Sequence, residues 1–310
     1  MRCLKIRIKA KDVQYVLSLT DLRQLQIIQL EILLELDRIC KKHDIQYSLA
    51  YGSLLGAVRH KGFIPWDDDM DVFMFREDYN RFCEVCVDEL DRARFYLQTH
   101  KNTHNYRWGY AKLRRNDTEY VRKGQEHLQY PSGVSIDVFP LDSVPDSRIL
   151  RPFFHFACFL TRKILWSEAG KKCESSPVKR WIYQLLAKIP KEVVFRGLYD
   201  KLVNFCGDRE TDQVRVITLP NPRFYAHLRA WYRDLQDYQF EGFWFPGPRD
   251  YDACLSYQYG DYMRLPPIEH RKGHHEALSY RLINVAKEDL SQQNNTITDT
   301  ANASGDDIPN

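Results

Sequence analysis

No stretch of the 310 residues is apolar for long enough to cross a bilayer. The longest run without Asp, Glu, Lys or Arg is Ile45 to Val58, and it holds Gln46, Ser48, Gly52 and Ser53. A spanning helix needs about 20 apolar residues. The N-terminus, Met1-Arg2-Cys3-Leu4-Lys5-Ile6-Arg7, places charges where a secretory signal needs an unbroken apolar core. An excess of one charge is also missing. Forty-five Lys and Arg stand against 42 Asp and Glu, a net +3. Such a balance gives no global pull toward nucleic acid, so any electrostatic steering is local. The eight cysteines lack a pairing pattern. Only Cys83 and Cys86 are suggestively spaced, and a lone CxxC without a second pair is weak support for zinc. They follow Tyr79 and Phe82 on a helical pattern and read as two buried or half-buried thiols in a reducing, cytoplasmic setting. No internal repeat is visible.

What is present is the patterning of a globular enzyme, 44% hydrophobic and 28% charged. Thr20-Asp21 opens a helix in which Leu22, Leu25, Ile28, Ile32, Leu36 and Ile39 recur at helical spacing, with Lys41, Lys42 and His43 in its last turn. Tyr47, Leu49 and Tyr51 alternate as a strand, Gly52-Ser53 breaks it, and Leu54 to Arg59 reads as a short helix. After a loop from His60 to Asp68, the pattern predicts a strand from Asp69 to Met74 and a helix from about Glu77 to Ala93. Short strands follow at Tyr96 to Thr99, Tyr110 to Arg114 and Ser135 to Phe139. The fold class is α+β with a small mixed sheet.

The organisation expected is an N-terminal arm (1–19), a core (20–147), a helical basic insertion (148–223), a further part of the core (224–287) and a disordered polar tail (288–310). Within the insertion, Ser176-Pro177 starts a helix whose Val178, Trp181, Ile182, Leu185, Leu186 and Ile189 mark one apolar face. Its Lys and Arg residues predict contact with an anionic membrane face or a lipid-linked acceptor. The competing expectation is that the apolar faces simply cover the sheet.

The segment Pro65-Trp66-Asp67-Asp68-Asp69-Met70-Asp71-Val72-Phe73 carries the chemistry. On a strand, Asp69 and Asp71 project from one face while Met70 and Val72 enter the core. Asp137 sits in Ser135-Ile136-Asp137-Val138-Phe139, between two core residues. If the two strands are neighbours, three carboxylates converge. At about 4 Å and an effective dielectric near 20, each pair costs about 4 kcal/mol, which a cation would relieve. Oxygen-only ligation suits Mg²⁺ or Mn²⁺. A calcium loop fits less well, because Val72 stands where it needs Gly and Asp78 where it needs Glu. For Asp67 and Asp68 alone, turn and capping chemistry is the expected role. Gly52 and Ser53 offer a backbone approach and a helix N-terminus for a phosphate.

The run Tyr51-Gly52-Ser53-Leu54-Leu55-Gly56-Ala57-Val58-Arg59-His60-Lys61-Gly62-Phe63-Ile64-Pro65-Trp66-Asp67-Asp68-Asp69-Met70-Asp71-Val72 closely resembles the signature of the LicD family. That family includes phosphocholine transferases and is related to the fukutin-related ribitol-phosphate transferases. The resemblance extends to Gly133 through Asp142 and to parts of 240–270, with Ser53 and Met70 standing where the family usually has Thr and Ile. It implies a nucleotidyltransferase-like core and Asp69 and Asp71 as the metal pair, with Asp137 as ligand or base. The substrate contacts expected are Gly52, Ser53, Arg59, Lys112 and Arg114, with Lys112 or Arg114 on a strand near the site to balance negative charge, and a solvated face is an equal expectation for Arg115. The donor implied is CDP-linked, and the acceptor a cell-surface carbohydrate or glycolipid such as lipopolysaccharide or teichoic acid. Phosphocholine is slightly favoured over glycerol or ribitol phosphate, because a choline site would use aromatic rings. The location expected is cytoplasmic, peripheral at the inner membrane face. Two alternatives stay open: a nucleotidyltransferase releasing pyrophosphate, and a calcium-binding scaffold without activity.

Overall fold

The computed structural model describes residues 17–219, 221, 224–273, 275 and 277–291. The chain opens with helix α1 (Leu19–Lys42), capped by the Ser18 side chain, which accepts from the Asp21 amide. The cap therefore lies two residues before the expected Thr20. The apolar stripe of α1 is fully buried at Ile28, Ile32, Leu36 and Ile39. Strand β1 (Ser48–Leu49) is shorter than expected, because Tyr51 already begins α2 (Tyr51–His60). Gly52 and Ser53 are thus inside the first turn of that helix rather than in a turn before it. Strand β2 (Asp71–Phe75) runs directly into α3 (Arg76–Glu89). Cys83 and Cys86 lie on α3, half-buried and buried, and burial raises both thiols, Cys83 to about 11. They are packing residues, as expected.

Strands β3 (Phe95–Gln98), β4 (Ala111–Arg115), β5 (Glu119–Arg122) and β6 (Ser135–Ser143) follow. Strand β6 continues past Phe139 through Pro140, which periodicity alone does not anticipate. The Asp137 N–H donates to Met70 on the β2 side, so alternation turns the Pro140 nitrogen toward β4. Strand β4 has already ended there, with Ala111 opposite Val138, and no ladder bond is lost.

The insertion holds α4 (Leu150–Cys173), α5 (Pro177–Leu186), α6 (Lys191–Val194), a π-helical turn (Phe195–Tyr199) and α7 (Asp200–Val203). It has a hydrophobic cluster of its own, including Phe154, Cys158, Leu165, Phe195 and Tyr199. The Tyr199 hydroxyl donates to Gly109 at 2.7 Å and Arg107 donates to Leu165 at 3.1 Å, which tie it to the sheet. Strands β7 (Gln213–Arg215) and β8 (His227–Leu228), helix α8 (Arg229–Arg233), the hairpin β9 (Leu235–Phe240) and β10 (Phe243–Pro248), helix α9 (Tyr251–Tyr259), a 3₁₀ turn (Ile268–His270) and β11 (Ala277–Arg281) complete the chain.

The main sheet has the order β1-β2-β6-β4-β3, with β7 and β8 continuing from the end of β6. It is mixed: β2 and β6 run parallel, while β4 is antiparallel to β6. This is the expected α+β class. Past Lys287 the chain is still packed, and Leu290 is buried in the main core. That corrects the expectation of a disordered tail from 288. The remaining tail, 292–310, and most of the N-terminal arm lie outside the described residues.

Candidate functional site

Strand register builds the site. Asp71 on β2 pairs with Asp137 on β6, and Asp137 pairs with Lys112 on β4. Three side chains therefore form a row across three adjacent strands. Lys112 and Asp137 are ion-paired and both buried. Burial draws the Lys112 ammonium down to about 7, although Asp137 opposes the shift. Burial works to raise Asp137, but Lys112 and then Arg122 outweigh it and hold that carboxyl below its ordinary value. Among the described residues, Asp71 has no such partner. Burial, then the charges of Asp69, Asp137 and Asp67, push it well above the carboxylate range.

Asp69 does not lie on β2, which begins two residues later. The expected strand alternation therefore does not place it; the irregular segment before the strand does. Two glutamines of α1 hold this segment. Gln26 donates to the Asp67 carbonyl at 3.0 Å, and Gln29 to the Asp68 carbonyl at 3.1 Å and the Ser135 carbonyl at 3.4 Å. Both glutamines are buried on α1 beside the aliphatic stripe, as are Glu31, Glu35 and Asp37. Two buried glutamines three residues apart on an apolar face were the one sequence signal for this clasp.

Asp68 plays a larger part than a turn residue. Its Oδ2 accepts from the Tyr120 hydroxyl at 3.1 Å and from the His275 amide at 3.0 Å. Strands β5 and β11 pair antiparallel, with Arg122 opposite Ala277, and this ribbon delivers His275. Asp68, Asp69 and His275 offer ligand atoms that all lie within 4.8 Å of one another. His275 Nδ1 is buried, 3.5 Å from Asp68 Oδ1 and 3.7 Å from Asp69 Oδ2. Neither His275 nor Arg122 was expected from the sequence, since their approach depends on a pairing between two short strands more than 150 residues apart in the chain.

The crowded carboxylates, with a suppressed ionisation at Asp71 and the His275 imidazole grouped with Asp68 and Asp69, fit a hard divalent cation. Oxygen donors dominate the set.

The other expected contacts are dispersed. The Ser53 hydroxyl accepts from the Asp71 amide at 2.8 Å, and the Ser53 amide donates to Ala50 at 2.9 Å. The Ser53 N–H is thus taken up inside the fold, and its side chain fixes the start of β2. Gly52 makes room: a Cβ there would stand 2.6 Å from Asp67 Oδ2. Tyr51 has φ +45, a conformation disfavoured for a tyrosine, and its ring is held edge-on against Phe73 at 4.8 Å. Arg59 donates to the Tyr262 carbonyl at 2.6 Å and so ties α2 to the segment after α9. Arg114 donates to Gln98 at 2.7 Å and to the Gly133 carbonyl. Arg115 pairs with Glu31 at 2.8 Å rather than facing solvent. The aromatic clusters Trp231-Tyr232 and Phe243-Trp244-Phe245 are core except Trp244, which is exposed.

Lys112, Arg114 and Arg122 converge with Asp68, Tyr120 and Tyr130 on a cleft of about 180 Å³. Arg122 is raised, despite burial, by Asp137 first and then by Tyr110, Asp69 and Asp68. The arrangement sets a cationic pocket against an acidic cluster, a layout for a phosphorylated ligand bridged by a metal.

Residues 44–153 match the family described as LicD/FKTN/FKRP, nucleotidyltransferase domain. The chain is 30% identical over 281 residues to the lipopolysaccharide cholinephosphotransferase LicD of Haemophilus influenzae, covering 84% of this chain and 98% of that protein. Shorter similarities reach uncharacterized proteins of Rickettsia typhi (38% identity over 55 residues, 18% of each chain) and Rickettsia prowazekii (42% over 48 residues, 16% of this chain and 18% of that one).

Proposed function

The chain belongs to the LicD family of phosphotransferases, and on that premise we propose that it transfers phosphocholine from a CDP-linked donor to a hydroxyl of a lipopolysaccharide-type glycan. The hydroxyl oxygen attacks the phosphorus that bears choline, the bond from that phosphorus to the bridging oxygen breaks, and CMP leaves with the bridging oxygen. The observation that carries this reading is the row Asp71–Asp137–Lys112, whose Lys112 end lines a cleft together with Arg114, Arg122 and Asp68.

Mg²⁺ or Mn²⁺ held by Asp69 and Asp71, with Asp137 beside them and Asp68 and His275 as further donors, would supply positive charge to the donor's pyrophosphate. Lys112, Arg114 and Arg122 orient the donor phosphates, from positions fixed by the sheet and by the β5–β11 ribbon. Asp137 is engaged by Lys112, so it serves to hold charge in place rather than to take the proton from the acceptor. Ser53 and Gly52 act through the acidic segment, Ser53 by anchoring the Asp71 backbone and Gly52 by admitting Asp67. Tyr120 and Tyr130 put aromatic rings on the same cleft, with the Arg114 guanidinium 6.0 Å from the Tyr130 ring; the preference for choline is supported by the similarity to a cholinephosphotransferase.

The test is to offer CDP-choline, CDP-glycerol and CDP-ribitol in turn with Mg²⁺ and a lipopolysaccharide acceptor. CMP release is expected to be fastest with CDP-choline and to stop on adding EDTA while the fold persists. Release of pyrophosphate instead of CMP would move the protein to nucleotidyl transfer. No turnover of any of the three donors would refute this choice of donor.

A further inference from the structure

We propose that the α4–α5 hairpin is a docking face for an anionic lipid bilayer, lying flat in the headgroup region with its apolar stripe inserted. The starting point is that α5 is turned inside out. Val178, Trp181, Ile182 and Leu185 are spaced at three and four residues and so share one side of the helix. Yet they are 68%, 59%, 43% and 43% exposed. The residue of α5 that is buried is Tyr183, on the opposite side, packed edge-on against Trp166 of α4 at 5.2 Å. The expectation that this apolar face covers the sheet is therefore not met: the face points away from the protein.

The N-terminal half of α4 repeats the pattern. Phe153, Phe156, Phe159 and Leu160 are exposed, while Phe154, Cys158 and Thr161 face the cluster beneath. The two helices are joined at Lys163, whose ammonium donates to the Tyr183 hydroxyl at 3.0 Å and lies 5.2 Å from the Phe159 ring. A run of exposed aromatics of this kind marks an interaction surface.

Charge selects the occupant. From Arg148 to Cys206 the chain has twelve Lys or Arg against four Asp or Glu, an excess of +8 within a protein of +3. On α5, Lys179 and Arg180 sit to either side of the Tyr183 direction, away from the centre of the apolar stripe; both are exposed, and Arg180 donates to the Glu174 carbonyl at 2.9 Å. Among the described residues, Glu168 takes Lys171 at 2.6 Å, while Arg162, Lys179, Arg180 and Lys188 have no carboxylate partner. A second copy docking by the same face would set two basic surfaces against each other, since residues 150–186 hold seven Lys or Arg against two Glu. An anionic leaflet matches both features, taking the aromatics at the acyl boundary and the long basic side chains at the phosphates. No helix among the described residues is long and apolar enough to cross a membrane, so the contact is peripheral. The inference is independent of which alcohol phosphate the enzyme moves.

The experiment is co-sedimentation of the full chain with phosphatidylcholine vesicles, with and without phosphatidylglycerol, over a salt series. Binding is expected only with phosphatidylglycerol and is expected to weaken as salt rises. The double variants Trp181→Glu/Leu185→Glu and Lys179→Glu/Lys188→Glu are each expected to bind at least about tenfold more weakly. Their melting temperatures are expected to stay at the wild-type value, because all four side chains are on the surface. Absence of binding at low salt would overturn the proposal. So would variants that bind like wild type, equal and salt-insensitive binding to phosphatidylcholine alone, or a lipid-free dimer that Trp181→Glu dissociates.

Discussion

Replacing Asp71 with Asn separates a structural carboxylate from a metal-holding one, because the two roles predict opposite effects on stability. Neighbouring strands lie about 4.8 Å apart, so at an effective dielectric near 20 a charged Asp71 repels a charged neighbour on β6 by about 3.5 kcal/mol. The neighbour is Asp137, and Asp69 and Asp67 add to it. Lys112 offsets part of this but is engaged by Asp137. Without a divalent ion, wild type must either bear this repulsion or protonate Asp71. Asn removes both burdens while keeping the shape. In chelator, urea unfolding should therefore show Asp71→Asn equal to wild type or more stable by about 1–3 kcal/mol. With Mn²⁺ or Mg²⁺ at about 100 times the wild-type Kd, wild type should gain about 2.7 kcal/mol. A hundredfold weaker site would leave the variant a gain of only about 0.4 kcal/mol under the same conditions. Turnover should fall by about two orders of magnitude or more. A variant less stable than wild type in chelator, or one that keeps the full ion-induced gain, would refute the assignment of Asp71 to a metal.

Lys112→Met should destabilise the protein by about 3–5 kcal/mol, since it strands the buried Asp137 charge; adding Asp137→Asn should recover most of that loss in the same unfolding assay, and additive losses would disprove the coupling. Gly52→Ala places a methyl 2.6 Å from Asp67 Oδ2, so it should lower kcat by at least about tenfold through displacement of the acidic segment; unchanged kinetics would show that the close approach is unimportant. Burial works to raise Glu241, but hydrogen bonds from Arg23 and Lys287 bring it down to about 2. Because the folded value lies below the unfolded one, this stability is complete above about pH 4.5 and is lost as pH falls toward 2. Arg23 and Lys287 are 41% and 35% exposed, so solvent screening reduces the contribution to about 2 kcal/mol. Acid titration of Glu241→Gln should therefore show a shallower loss over that window, and an identical acid limb would remove Glu241 from the account.

Local pattern was enough for the local elements. The stripe of α1, the helix start at Ser176-Pro177 and the packed thiols of α3 each follow from side-chain spacing over a few turns, which is where backbone geometry repeats; β2 instead is buried at Val72, Phe73 and Met74 in succession, so alternation did not describe it. The acidic segment and Asp137 were legible for the same reason: each is a charge set among core residues on one short stretch. Tertiary structure decided the rest, because it depends on contacts between distant parts of the chain. Only the parallel register of β2 on β6, with β4 antiparallel beyond, shows that Asp71, Asp137 and Lys112 stand in one row. Only the β5–β11 pairing brings His275 to Asp68 and Arg122 to the acidic group. The direction of α5 was equally beyond periodicity, which fixes that Val178, Trp181, Ile182 and Leu185 share a face but not whether it meets a core or solvent. Tyr183 settles that, because packing it against Trp166 and Lys163 of α4 rotates the apolar stripe outward.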